Sequence, residues 1–348
     1  MGIEVEPLIK AIDRYIAKAD EELEETLESE GYIEAGAIVV AINALESAIN
    51  TALETDADEF IDKVVKSETV DQFLKKIWPE VKETVNLRDE LSKIFRLHFD
   101  DLFHQFTFQW LIAEDPVLVS AIEEVIEITK PAEAFIKGWS AELARIMNLS
   151  TKDTMERILL KASRENMTID EVADEIANSG IRQCGYRSRR VALTEVLRVE
   201  SYAQQESMIQ NPSAYKKKWV HVMSAQPREN HMAISGQEVF KREPFTLIGR
   251  DGSTYYPMCP RDTSLPASES VNCHCLMETV TDQKILGMTD EERISLRKKY
   301  MDEVDSEYDA WEKKFNEDHG IEEPRDDPSI TWEVYNSYYE AYRKGEIT

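Results

Sequence analysis

The hydrophobic period of the chain switches from helical to alternating at Asn211-Pro212 and returns to helical after about residue 280, which restricts what it can fold into. Upstream, Ile9, Ile12, Ile16 and Ala19 recur at helical spacing, and Leu23 and Leu27 extend the stripe. Ile38 to Leu53 is apolar almost all round and predicts a buried helix. Residues from Phe73 to Phe108 carry Phe, Leu and Trp at helical spacing; Pro79, Pro116 and Pro131 mark boundaries or first helical turns. Downstream, Lys218-Trp-Val-His-Val-Met223 alternates as a strand does. Gly236, Gly249-Arg-Asp-Gly252 and Pro257 then supply turns at short intervals.

Capping chemistry places the helix ends. Ser150 predicts an N-cap, with Asp153 at the capping-box position, for a helix through Met155, Ile158 and Leu159. Thr168 and Glu171 form a full box before Val172, Ile176 and Ala177, and Gly180 ends that helix. A further helix runs from about Arg187 to Ile209. Thr289 and Glu292 start another, along which Tyr300, Val304, Tyr308 and Trp311 recur; an aromatic-rich end from Trp332 to Tyr342 is expected to pack on the core. His98 and His104, six apart, fall on different sides of a helix, so a shared metal is not expected. The expected fold class is α+β. Residues 1–148 form a largely helical N-terminal domain, 149–280 a small α+β domain with short antiparallel strands, and 281–348 an acidic helical extension.

The net charge of −27 is unevenly spread. Residues 1–130 hold 30 acids against 12 bases and residues 276–348 hold 20 against 10, while 131–275 hold 18 against 19. Acidic flanks repel nucleic acid and anionic membranes; the basic middle offers DNA or an acidic partner a contact. No run of 18 apolar residues is present, so no membrane span is expected. The acidic start lacks the features of a signal peptide, and Glu6 stands where myristoylation favours Ser or Thr. Four cysteines, Cys184, Cys259, Cys273 and Cys275, predict a reducing compartment, with metal ligation or free thiols ahead of disulfides.

Between 187 and 275 the motifs come in a fixed order. Arg190, Thr194 and Glu195 lie on one helix; Trp219 sits in the strand; Arg228 and His231 make Arg-x-x-His. Gly236, Val239, Phe245 and Pro257 follow, and Asn272-Cys273-His274-Cys275 closes the set. This order resembles the Mu F-like head-morphogenesis, or minor head protein, family of tailed bacteriophages. The helices expected at 150–161 and 168–179 are similar to the pair that precedes the Thr-Glu helix there, so the likeness covers about 150–280. Two positions depart from the pattern: Ser224-Ala-Gln-Pro227 replaces an acidic residue before the Arg, and His274 stands where Arg is usual. The resemblance implies a non-enzymatic minor head component. It would meet the portal and other head or scaffold proteins in the host cytoplasm, remain in the virion, and aid DNA packaging or delivery.

The residues also admit a direct physical reading. Arg190, Thr194, Glu195, Trp219 and Arg228 are candidates for a structural polar cluster, since buried charges persist only when paired and hydrogen-bonded. His231, Cys259, Cys273 and Cys275 make a Cys3His set for structural zinc, against buried free thiols and a hydrogen-bonded histidine. His274 is a substitute ligand, although neighbours on a strand point opposite ways. No Gly-rich phosphate loop, HExxH or GxSxG is present. Two alternatives remain. One is a nucleic-acid-binding module using Arg182, Arg187, Arg189, Arg190, Lys216, Lys217 and Lys218; the other is a nuclease- or ADP-ribosyltransferase-like enzyme using Glu195, Arg228 and His231.

Overall fold

The computed structural model describes residues 18–116, 126–178, 184–222, 227–320, 331–343 and 346. Ile9 to Ile16, Gly180, Arg182, Met223 and the Ser224–Gln226 departure lie outside these residues, as do the side chains of Ala177 and Cys184. The described chain is a mostly helical α+β protein. It runs α1 (Asp20–Glu30), α2 (Ala35–Val65), α3 (Val70–Lys76), α4 (Trp78–Glu83), α5 (Asn86–Glu114), α6 (Lys130–Glu165), α7 (Ile169–Asn178) and α8 (Cys184–Gln210). Then come β1 (Ala214–Val220), α9 (Glu229–Ala233), β2 (Glu238–Phe240), β3 (Leu247–Ile248), β4 (Thr254–Tyr255), α10 (Ala267–Ser270) and β5 (Leu276–Thr281). The helices α11 (Gln283–Leu286), α12 (Asp290–His319) and α13 (Trp332–Arg343) end it.

Local chemistry explains the ends. The full capping box expected at Thr168 forms, and the helix start expected at Thr289 is a capping box too. The Thr168 and Thr289 hydroxyls accept from Glu171 N and Glu292 N, and the two glutamates accept from the threonine N–H groups. Pro79 sits in the first turn of α4. Ser150, in contrast, starts no helix, because α6 passes straight through it. The Thr151 and Thr154 hydroxyls bond back to Met147 O and Ser150 O, which keeps both threonines inside the helical ladder. The strand is shifted from its expected 218–223 to 214–220. On α2 the interior face carries Ile42, Leu45, Ile49 and Leu53, but Val40 is 67% exposed, so the helix is not buried all round. By length and composition α2 is apolar enough to cross a membrane, yet a helix with one interior face is also what a core helix looks like.

The chain divides into two compact units, each assembled from separated stretches: 1–39, 99–139 and 194–348 in one, 40–98 and 140–193 in the other. This division differs from the expected boundaries at 148 and 280, the first of which lies inside α6. In the 40–98 and 140–193 unit, Phe60 packs edge-on against Phe73 and Trp78, over Leu159, Val172 and Ile176. There Lys152 Nζ donates to the carbonyls of Val81, Lys82 and Thr84, satisfying the last carbonyls of α4.

The other unit holds an antiparallel sheet of order β2-β1-β5 and the separate β3-β4 hairpin. Trp219 pairs with Met277 and Val220 with Leu276. One core gathers Met208, Trp219, Phe245, Cys259, Cys273, Cys275 and Met277. A second is aromatic, with Tyr308, Trp311 and Phe315 of α12 against Tyr335 of α13, so the aromatic-rich end packs inward as expected.

Candidate metal centre

Strand alternation decides which side chains meet. Cys273 and Cys275 share a face as the chain enters β5, and His274 takes the other face, where its Nδ1 lies 2.7 Å from Glu30 Oε1. The short helix α9 carries His231 to the thiols, with Nδ1 at 3.5 Å from both sulfurs. The ligand atoms of His231, Cys273 and Cys275 all lie within 4.8 Å of one another, and each residue is 1% exposed. This group could hold a metal ion. Cys259 belongs to the same core but not to the group. Its thiol is pushed far up by burial and by the neighbouring Asp262.

Around the group the polar partners are fixed. His231 Nε2 donates to Glu269 Oε2 at 3.0 Å. Glu269 also accepts from Asn230 Nδ2 at 3.0 Å and from the Arg250 N–H at 2.9 Å. Burial opposes its charge, but these three donors outweigh burial and hold the carboxyl down at about 2. An ionised Glu269 leaves Nδ1 of the imidazole directed at the sulfurs, the arrangement in which a carboxylate orients a ligating histidine. Hydrogen bonding from Cys275, and then from His231, pulls the Cys273 thiol far down toward thiolate; burial pushes Cys275 up. One thiolate forms readily, and a divalent cation would stabilise the second.

Cys273, His231 and Glu269 also have the connectivity of a nucleophile, base and orienting carboxylate. At 1% exposure each, however, they offer a substrate no approach, and a reactive thiolate must be reachable. A cavity of about 140 Å³ exists elsewhere in this unit, lined by Phe135, Tyr202, Glu206, Asp262, Tyr308 and Trp332 among others; the centre does not line it.

The expected polar cluster does not form as one set. Arg190 is exposed, its guanidinium over the Tyr186 ring. Thr194 is buried, and Glu195 pairs with Arg198 at 2.8 Å and accepts from Trp139 Nε1 at 2.7 Å. Arg228 donates to the carbonyls of Ser268, Val271 and Asn272, fixing the turn before Cys273. Trp219 is fully buried, edge-on to His231 and Phe245. The sequence reading missed three residues. Fully buried Arg261 ties Leu197 O, Tyr32 and Cys273 O together at a positive φ of 63°. Glu269 and His221 were the others; only His221 had a signal, its position two residues beyond Trp219 on the same strand face.

The chain is 30% identical to the uncharacterized protein YqbB of Bacillus subtilis (strain 168) over 268 residues, 75% of this chain and 85% of that one. It belongs to the YqbB family. A shorter stretch of 125 residues, 35% of this chain, is 33% identical to the NAD(+)--arginine ADP-ribosyltransferase EFV of Enterococcus faecalis (strain ATCC 700802 / V583), of which it spans only 23%. No family model matches the chain, and no solved structure does. Membership in the YqbB family thus brings a relative of nearly the same extent, while the transferase shares only a part.

Proposed function

We propose that this YqbB-family chain is a minor head protein of a tailed phage or prophage, joining the portal during prohead assembly and staying in the virion. The observation that carries the reading is convergence: Trp219, Arg228, His231, Phe245, Cys273 and Cys275 are spread over 219–275 yet build one core and its bracing turn. Motifs that close one small unit suit a rigid platform for docking, with helical arms as partner surfaces. In the host cytoplasm, acidic arms would avoid trapping incoming DNA.

In this reading the metal is zinc, which thiolate and imidazole donors favour, and its work is structural. It braces a segment whose strands β2, β3 and β4 are only two or three residues long. The limited span of the transferase likeness fits a shared structural segment better than a shared activity. Five of the seven basic residues suit DNA poorly, because they are engaged within the protein. Arg187 bonds Thr151 and Met147 O, and Arg189 bonds Asn43 and Glu46. Lys216 pairs with Glu238, Lys218 with Glu278, and buried Lys217 bonds Gln205 and Met258 O.

Mass spectrometry of purified particles, with cosedimentation against portal and scaffold, tests the assignment. A few copies in proheads and virions are expected. Absence from both defeats it.

A further inference from the structure

We infer that His221, not Cys259, is the fourth ligand, closing the centre as a Cys2His2 site with no position left for water or substrate. The inference rests on the zinc reading and goes beyond it by fixing the ligand set. The register of the sheet supplies the first argument. Val220 pairs with Leu276 and Trp219 with Met277, so the next pair out along the ladder is His221 opposite Cys275. Directly opposed residues on antiparallel strands project to the same face, with Cβ atoms about 4.5–5.5 Å apart. The side chain follows: His221 Nδ1 lies 3.6 Å from Cys275 Sγ.

The second argument is an unmet polar atom. Among the described residues His221 Nε2 is buried with no hydrogen-bond partner, although its backbone N–H is held by Ser235 Oγ at 3.1 Å. No oxygen acceptor therefore fixes this imidazole; what it faces is sulfur. Nδ1, the nitrogen on the sulfur side, is then the atom that a cation shared with two thiolates and His231 would take, with no acceptor at Nε2 turning the ring elsewhere. Cys259 has no such place opposite Cys275 in the ladder; it and His221 both lie outside the mutual 4.8 Å set of His231, Cys273 and Cys275, so register and the approach of His221 Nδ1 to Cys275 decide between them. With His221 the ion would bridge the end of β1, the helix α9 and the entry to β5.

X-ray absorption and chelator competition on the zinc-loaded full-length chain test this. The wild type should show two sulfurs at about 2.3 Å and two nitrogens at about 2.0–2.1 Å. His221→Ala should lose one nitrogen and weaken zinc by more than the roughly 10- to 100-fold typical of losing an outer-shell partner. His221→Cys should recover affinity with three sulfurs and one nitrogen, which a merely misfolded variant would not do. Cys259→Ala should change neither shell nor affinity. A three-sulfur shell in the wild type, or a His221→Ala shell identical to it, overturns the fourth ligand and leaves the zinc reading standing. Failure of the wild type to take up zinc removes both.

Discussion

His274 and Glu30 hold one another at 2.7 Å, on the face of the Cys273–Cys275 segment that turns away from the thiols. Glu30 is the last residue of α1, so the pair ties that helix to the entry of β5. His274→Ala is therefore expected to leave zinc affinity unchanged while raising hydrogen exchange in α1. Loss of zinc on this substitution would mean that His274 is a ligand.

Arg228 acts through geometry more than charge. Its planar fork serves three carbonyls at 2.5–3.2 Å, which the single ammonium of a lysine cannot reproduce. Arg228→Lys should lose about 2–3 kcal/mol in chemical denaturation. It should also weaken zinc, because the turn it holds leads into Cys273. Wild-type stability in the lysine variant would refute the bracing role.

Burial pushes the Glu200 carboxyl up to about 7, although Arg261 at 3.5 Å and the Trp110 indole N–H at 3.1 Å work against burial. The folded value exceeds the ordinary 4.5, so the native state holds the extra proton between about 4.5 and 7, and stability falls as pH rises through that window. Glu200→Gln should match the wild type near pH 4 and exceed it near pH 8 by about 3 kcal/mol at most. Thermal unfolding at the two pH values measures it. An equal difference at both would show that the carboxyl does not titrate in this range.

Removing the metal should act locally. Chelation of the zinc-loaded chain is expected to lower Tm by several degrees and to raise hydrogen exchange in 219–222, 229–233 and 269–277. The Phe60, Phe73 and Trp78 core should keep its protection. Uniform loss of protection would argue for a global role, and no change at all would remove the structural one.

Much of this was readable in advance. The capping boxes at Thr168 and Thr289 and the first-turn Pro79 were legible because each works within three or four residues. The start of β1 was not, since Tyr215-Lys216-Lys217 looks like a solvated run. Lys217 is nevertheless buried, because Gln205 and Met258 O happen to receive its ammonium. Ser150 misled for the converse reason: a good capping residue inside a helix shows its role only through its neighbours.

Sequence by itself determined the local facts: the mostly helical α+β class, the helix starts at Thr168 and Thr289, and the alternation that sets Cys273 and Cys275 on one face and His274 on the other. Tertiary structure decided which donors meet. Cys259, His221 and Glu269 were equally available by residue type. Their places depend on strand register and on loops closing over some fifty residues, and such long-range closure leaves no periodic trace in the chain.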